Sequence, residues 1–251
     1  MLDFSDSNPN DEMPDSDAVL IRESFARTDT WIFDLDNTLY PPDCDLWPKI
    51  DQRITLFLGH LFGLDGISAR ALQKYYYLRY GTTLRGLMVD HDVSAEQFLA
   101  FVHDIDRSSL EPNHSLAAAI QALPGRKLIL TNGSRDHAMR TTVALGLDFM
   151  LDDIFDIAAA DFLPKPAAAT YERFFDKHAV DPASACMFED LPQNLLVPHA
   201  HGMKTVLVMP KPGLMDHREA CEITSEAVPD HVDFATTDLV EFLVKTILKG
   251  A

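Results

Sequence analysis

Four short stretches of this chain hold residue types whose combination can do chemistry on an anion. Asp34-Leu35-Asp36-Asn37-Thr38 sets two carboxylates two residues apart. Like charges that close are costly, and a divalent cation with oxygen ligands removes the cost. Thr131-Asn132-Gly133-Ser134 offers a hydroxyl and backbone amides to an anion, with Gly133 permitting close approach. Lys165, flanked by Pro164 and Pro166, is a fixed positive charge on a stiffened loop. Glu189-Asp190 is a second acid pair that also asks for a cation. Three of these have ordinary alternatives when taken singly: a common Asp-x-Asp loop, a plain strand-to-helix turn, a solvated surface lysine.

The elements that must position these residues are legible as apolar runs that stop abruptly at polar groups. Trp31-Ile32-Phe33 runs into Asp34, Leu128-Ile129-Leu130 into Thr131, residues 154–160 into Asp161, and Met187-Phe188 into Glu189. Runs of this kind read as buried strands. A fifth, residues 205–208, ends at Met209-Pro210. Helical stretches over 136–145, 167–178 and 193–201 alternate with them, so the class is α/β with a Rossmann-like open parallel sheet. Ligands of such sheets sit in the crevice at the carboxyl ends of the strands, where these polar groups are delivered.

From Pro42 to about Pro124 the pattern is helical only, opening with Ile50, Ile54, Phe57, Leu58, Leu61 and Phe62 at amphipathic spacing. Further helices are expected over 68–80, 83–90 and 94–105, the last begun by a Ser94/Gln97 capping box. This block interrupts the sheet just after its first strand and reads as an inserted helical cap. The expected organisation is a mobile acidic tail over 1–17, a catalytic core over 18–45 and 121–251, and the cap over 46–120.

Thirty-nine acids against 21 bases give the 251-residue chain a formal charge of -18. That field repels polynucleotides and leaves no basic stripe for their backbone, so a small substrate is expected, drawn in locally by a metal, a lysine or backbone amides. Cys44, Cys186 and Cys221 are far apart and form no CxxC pair, so neither a disulfide framework nor a zinc site is expected, and a reducing cytoplasm is. No apolar run approaches the roughly 18 residues of a membrane span. Oligomeric state is not legible.

In order, the four stretches resemble the motifs of the haloacid dehalogenase superfamily, and the similarity covers about residues 28–208. The resemblance implies that Asp34 attacks phosphorus to form an aspartyl-phosphate and that Asp36 acts as general acid and then base. Haloacid dehalogenases proper lack an acid at the second position, so Asp36 argues for phosphoryl rather than halide chemistry. It further implies that Thr131 and the Asn132 amide bind the transferring oxygens and that Lys165 neutralises charge. Mg2+ would be held by Asp34, the backbone carbonyl of Asp36 and Asp190, with Glu189 acting through a water. Longer strings, residues 75–87, His137-Ala138, 161–166 and 188–195, resemble the pyrimidine 5′-nucleotidase subfamily. They imply a nucleoside 5′-monophosphate such as UMP or CMP as substrate, with the cap reading the leaving group. Competing expectations are a phosphatase of a sugar phosphate, phosphoglycolate or vitamin phosphate, and a non-catalytic binding protein on the same fold. Tyr75, Tyr76, Tyr77 and Tyr80 could stack on a base, but packing is expected for most of them, and Arg85 and His91 are assigned to no site.

Overall fold

The computed structural model describes residues 16–211, 213 and 228–247. In chain order its elements are α1 (Ser16–Phe25), β1 (Thr30–Phe33), α2 (Leu46–Phe62), α3 (Gly66–Tyr80), α4 (Thr83–His91), α5 (Ala95–Val102) and α6 (His114–Ala122). There follow β2 (Arg126–Leu130), α7 (Arg135–Ala144), β3 (Asp153–Phe155), α8 (Ala168–His178), β4 (Ala185–Glu189), α9 (Leu196–Ala200), β5 (Lys204–Val208), β6 (Phe234–Thr236) and α10 (Leu239–Ile247). All strand pairs are parallel, in the order β3-β2-β1-β4-β5-β6. The chain builds outward from β1 on one side, then returns to start β4 on the other. The carboxyl ends of β1 and β4 therefore flank the point where the winding reverses, which is where open sheets leave a crevice for ligand.

Alternation along each strand sends side chains to two hydrophobic layers. Trp31, Phe33, Ile129, Phe188 and Val206 face a cluster with residues of α1, α6 and α10, where the Phe33 and Phe188 rings stack at 4.8 Å. Ile32, Leu128, Leu130, Met187 and Leu207 face the other cluster, closed by Tyr171 and Phe174 of α8. With both sheet faces covered, β1 and β4 are buried along their whole lengths. Helices α2 to α5 have a hydrophobic cluster of their own around Leu58, Tyr76, Leu87 and Phe98. Gly86 of α4 is seated directly against the Tyr76 ring of α3.

Several expectations are corrected. The apolar run over 154–160 is strand only as far as Phe155. Asp156 then accepts from the backbone amides of Arg135 and Ala159, turning the chain, and of residues 157–160, none in a strand, only Ile157 and Ala160 are buried. Periodicity cannot tell a buried turn from a buried strand. The stretch 193–201 is split into a 3-10 turn, Pro192–Leu195, and the short α9. Helix α6, reckoned with the cap over 46–120, gives Leu116, Ala117, Ala119 and Ile120 to the cluster beneath the sheet. The tail expected over 1–17 lies outside the described residues up to 15, and Ser16 and Asp17 begin α1. Ser94 caps α5 as expected, accepting from the Gln97 amide. No helix among the described residues is long and apolar enough to cross a membrane.

Candidate active site

Asp34 stands one residue beyond β1, its amide donating to the Phe188 carbonyl of β4, so the sheet ladder itself fixes where this carboxylate starts. Its side chain is buried. Lys165 Nζ donates to Asp34 Oδ1 at 2.6 Å, to Glu189 Oε1 at 2.8 Å and to the Leu130 carbonyl at 2.9 Å. All three donors of the ammonium are thus engaged. The loop carrying Lys165 is held by Asn132, whose Oδ1 accepts from the Lys165 amide at 2.8 Å and whose Nδ2 donates to the Lys165 carbonyl at 3.3 Å. Lys165, expected as a fixed charge on a stiffened loop, is 3% exposed and pinned from both sides, which removes the alternative of a solvated surface lysine.

Glu189 ends β4 with its carboxylate accepting three hydrogen bonds. Oε1 accepts from Lys165 and, at 2.6 Å, from Asn194 Nδ2, while Oε2 accepts from the Leu191 amide at 2.7 Å. Asp190 follows it, and ligand oxygens of Asp34, Glu189 and Asp190 lie within 4.8 Å of one another, all three residues buried. Burial pushes the Asp34 carboxyl up to about 7, with Glu189 and Asp36 adding to the rise and Lys165 opposing it. Asp190 is driven well above the carboxylate range by burial and then by Glu189 and Asp34. For Lys165 burial works downward, but Asp34 and Glu189 outweigh it and hold the ammonium above its usual range. One lysine among three buried acids leaves uncompensated negative charge, and a donor set of carboxylate oxygens without thiol or imidazole suits a hard divalent cation.

Asp36 lies at the edge of the same space. Burial would raise its carboxyl, but the His137 ring, donating to it, and the Tyr40 hydroxyl bring it down to about 2. Tyr40 donates to Oδ1 at 2.5 Å, and His137 Nε2 lies 2.8 Å from the same oxygen. Thr131 Oγ1 accepts from the Gly133 amide at 2.9 Å, leaving its own proton to donate. A Cβ on Gly133 would come within 3.2 Å of both Thr131 Oγ1 and the His137 ring. Glycine keeps this turn close.

These groups floor a cavity of about 470 Å³. Asp34, Asp36, Thr131, Asn132, Lys165, Glu189 and Asp190 line it from the sheet side, so every site residue expected from sequence meets at one place. Trp47, Ile50, Ile54, Leu78, Phe98 and Leu99 line it from the helical side, with Asp51, Gln73 and Lys74. Of the four cap tyrosines only Tyr77 lines the cavity, whereas Tyr76 bonds to His91 and Tyr80 to Asp90 within the cap. Sequence reasoning gave no role to Tyr40, Arg107, His137 or Asn194, which hold the acids in place. His137 and Asn194 sat inside the subfamily strings, but a buried polar residue on a helix carries no signal of its target.

The chain belongs to the haloacid dehalogenase-like hydrolases, whose family model matches residues 28–202. It is therefore a hydrolase of that superfamily. Phosphate metabolism protein 8 of Saccharomyces cerevisiae is 28% identical over 134 residues, covering 49% of this chain and 42% of the yeast protein, so the match spans less than half of either. A HAD phosphatase from Thermococcus onnurineus superposes with a TM-score of 0.57 at 16% identity, covering 87% of this chain and 97% of that one. A dehalogenase gives 0.54 at 16% identity over 89% and 98%. Bacillus subtilis YfnB, solved with magnesium bound, gives 0.52 at 14% over 88% and 99%. These likenesses establish the fold.

Proposed function

We propose that this hydrolase is a magnesium-dependent phosphomonoesterase acting through an aspartyl-phosphate, with a pyrimidine nucleoside 5′-monophosphate as substrate. The observation that carries the reading is Asp36, a second carboxylate lining the cavity that also holds Asp34 and Lys165. Departure of an ester oxygen needs a proton, and departure of a halide does not. In the first step a carboxylate oxygen of Asp34 bonds to phosphorus as the ester P–O bond breaks, and the leaving oxygen keeps the electron pair and takes a proton from Asp36, whose carboxyl, held down to about 2 in the free site, is raised by the negative charge of the bound phosphate. Water then attacks phosphorus and gives a proton to Asp36, while the bond to Asp34 breaks and frees phosphate. The Thr131 hydroxyl and Asn132 amide bind the transferring oxygens, and Lys165 offsets their charge beside Asp34. Magnesium would be held by Asp34, Asp190 and the Asp36 carbonyl, with Glu189, whose Oε1 is shared by Lys165 and Asn194 and whose Oε2 keeps a lone pair beside the Leu191 amide, acting through water. It supplies charge neutralisation for the nucleophile and the transferring oxygens.

The name of the yeast relative, which speaks of phosphate metabolism, and the magnesium in YfnB support this assignment. For the leaving group the support is the subfamily strings, a cavity in the size range of small-molecule sites, and the presence of Trp47 and Tyr77 on its helical wall. The test is phosphate release over a panel of nucleoside monophosphates, sugar phosphates, phosphoglycolate and vitamin phosphates, with and without a chelator. UMP or CMP should lead the panel, and chelation should abolish release. Sugar phosphates turned over well with UMP untouched would remove the nucleotide, and halide release from 2-haloacids without phosphate release would remove the phosphatase.

A further inference from the structure

Behind Asp36 stands a row of side chains to which the proposed reaction gives no part. His137 of α7 is fully buried, with Nε2 2.8 Å from Asp36 Oδ1 and Nδ1 2.8 Å from Nη2 of Arg107. A guanidinium only donates hydrogen bonds. Nδ1 must therefore be the acceptor, the ring proton sits on Nε2, and His137 donates to Asp36. Tyr40 ends on that same Oδ1. With both hydrogen bonds on Oδ1, the other oxygen, Oδ2, is turned toward the 131–133 turn, 3.7 Å from where a Cβ on Gly133 would stand.

Arg107 is itself anchored, its Nε donating to Thr141 Oγ1 at 3.3 Å and its Nη1 to the Ile105 carbonyl at 3.1 Å. His103 covers the His137 ring at 4.4 Å and 14°, and its Nδ1 lies 2.8 Å from Ser134 Oγ. The His137 ring is thereby covered on that face and held in one plane.

We propose that Arg107 is a positioning residue: by holding His137 as an Nε2–H donor, it clamps Asp36 through Oδ1 and presents Oδ2 to the leaving oxygen. The last clause rests on the phosphatase reading; the clamp does not.

Two measurements on the full chain test it. In ring ¹⁵N–¹H spectra, His137 should carry its proton on Nε2 with Nδ1 bare, and Arg107→Met should lose that single tautomer while Arg107→Lys, which keeps a donor, retains much of it. In steady-state kinetics, Arg107→Met should lower kcat for an alkyl phosphate roughly tenfold more than for p-nitrophenyl phosphate, whose leaving group needs little protonation, with both KM values within about twofold. A proton on Nδ1 of His137, a tautomer indifferent to Arg107→Met, or equal losses on both esters would overturn the proposal. A wild-type chain that hydrolyses neither ester would overturn the phosphatase reading instead, and the ring spectra would still decide the clamp. Should Arg107→Met fail to fold, the wild-type spectrum and Arg107→Lys decide it.

Discussion

Lys165 is the residue on which the charge balance of the site turns. Its ammonium is shared by Asp34 and Glu189 in surroundings almost free of water, with side-chain exposures of 1%, 8% and 1%. A buried pair of this kind gives little net stability, but losing one partner strands the others, at a cost of about 3–5 kcal/mol. Lys165→Met should therefore destabilise the fold by about that much in urea melts, and millimolar magnesium should restore part of the loss by supplying the missing positive charge. No recovery with magnesium would argue against a cation among these acids. His103 acts differently. Burial, then His137, lowers its pKa from 6.5 to about 3, so it stays neutral in the folded chain. Below pH 6.5 the unfolded chain takes a proton that the folded one refuses, so stability falls as pH drops toward 3, by up to about 1.4 kcal/mol per pH unit from this group. Above 6.5 it contributes no slope. His103→Gln should flatten the pH dependence of the urea midpoint between 6.5 and 4, and an unchanged slope would show that His103 is not held neutral.

At the scale of elements, the cap depends on how closely α3 and α4 approach. A Cβ at Gly86 would lie 2.9 Å from the Tyr76 Cβ, and closer still to its ring. The obstruction is near the backbone of α3, so it cannot swing aside as a long side chain would. Gly86→Ala should cost about 1–3 kcal/mol through overpacking. Since Tyr77 follows Tyr76 on α3 and lines the cavity, the variant should raise KM for the cognate substrate more than for a small ester such as p-nitrophenyl phosphate. Equal KM changes would mean that this face of the cap does not read the leaving group.

Across the whole molecule, a chain of formal charge -18 must hold an anion against its own field. A cation bound only by the folded state would stabilise it by mass action, about 2.7 kcal/mol at a hundredfold excess over Kd. Magnesium should accordingly raise Tm, and Asp190→Asn should abolish the rise while leaving the metal-free Tm equal or higher, because a buried carboxylate has been removed. A Tm rise that survives in Asp190→Asn would locate the cation elsewhere.

The sequence by itself determined the order of the chemical groups and the strands that end at them. An apolar run cut short by an acid is a local pattern, readable at Phe33-Asp34 and at Phe188 with Glu189-Asp190. It also determined the interrupting helical block, because amphipathic spacing around Ile50 to Phe62 is local too. What it could not determine depends on contacts between residues far apart in the chain. The separations of 131 positions from Asp34 to Lys165 and 101 from Asp36 to His137 are closed only by folding. Donor and acceptor roles at His137 follow from Arg107, which comes from another segment. Helix α6 read like the cap helices before it because an apolar stripe does not say which surface it will cover, and the run at 154–160 read as strand because apolar composition alone does not make a ladder. Local pattern is written in the order of residues, whereas partner choice follows from which buried polar groups the packed chain must satisfy.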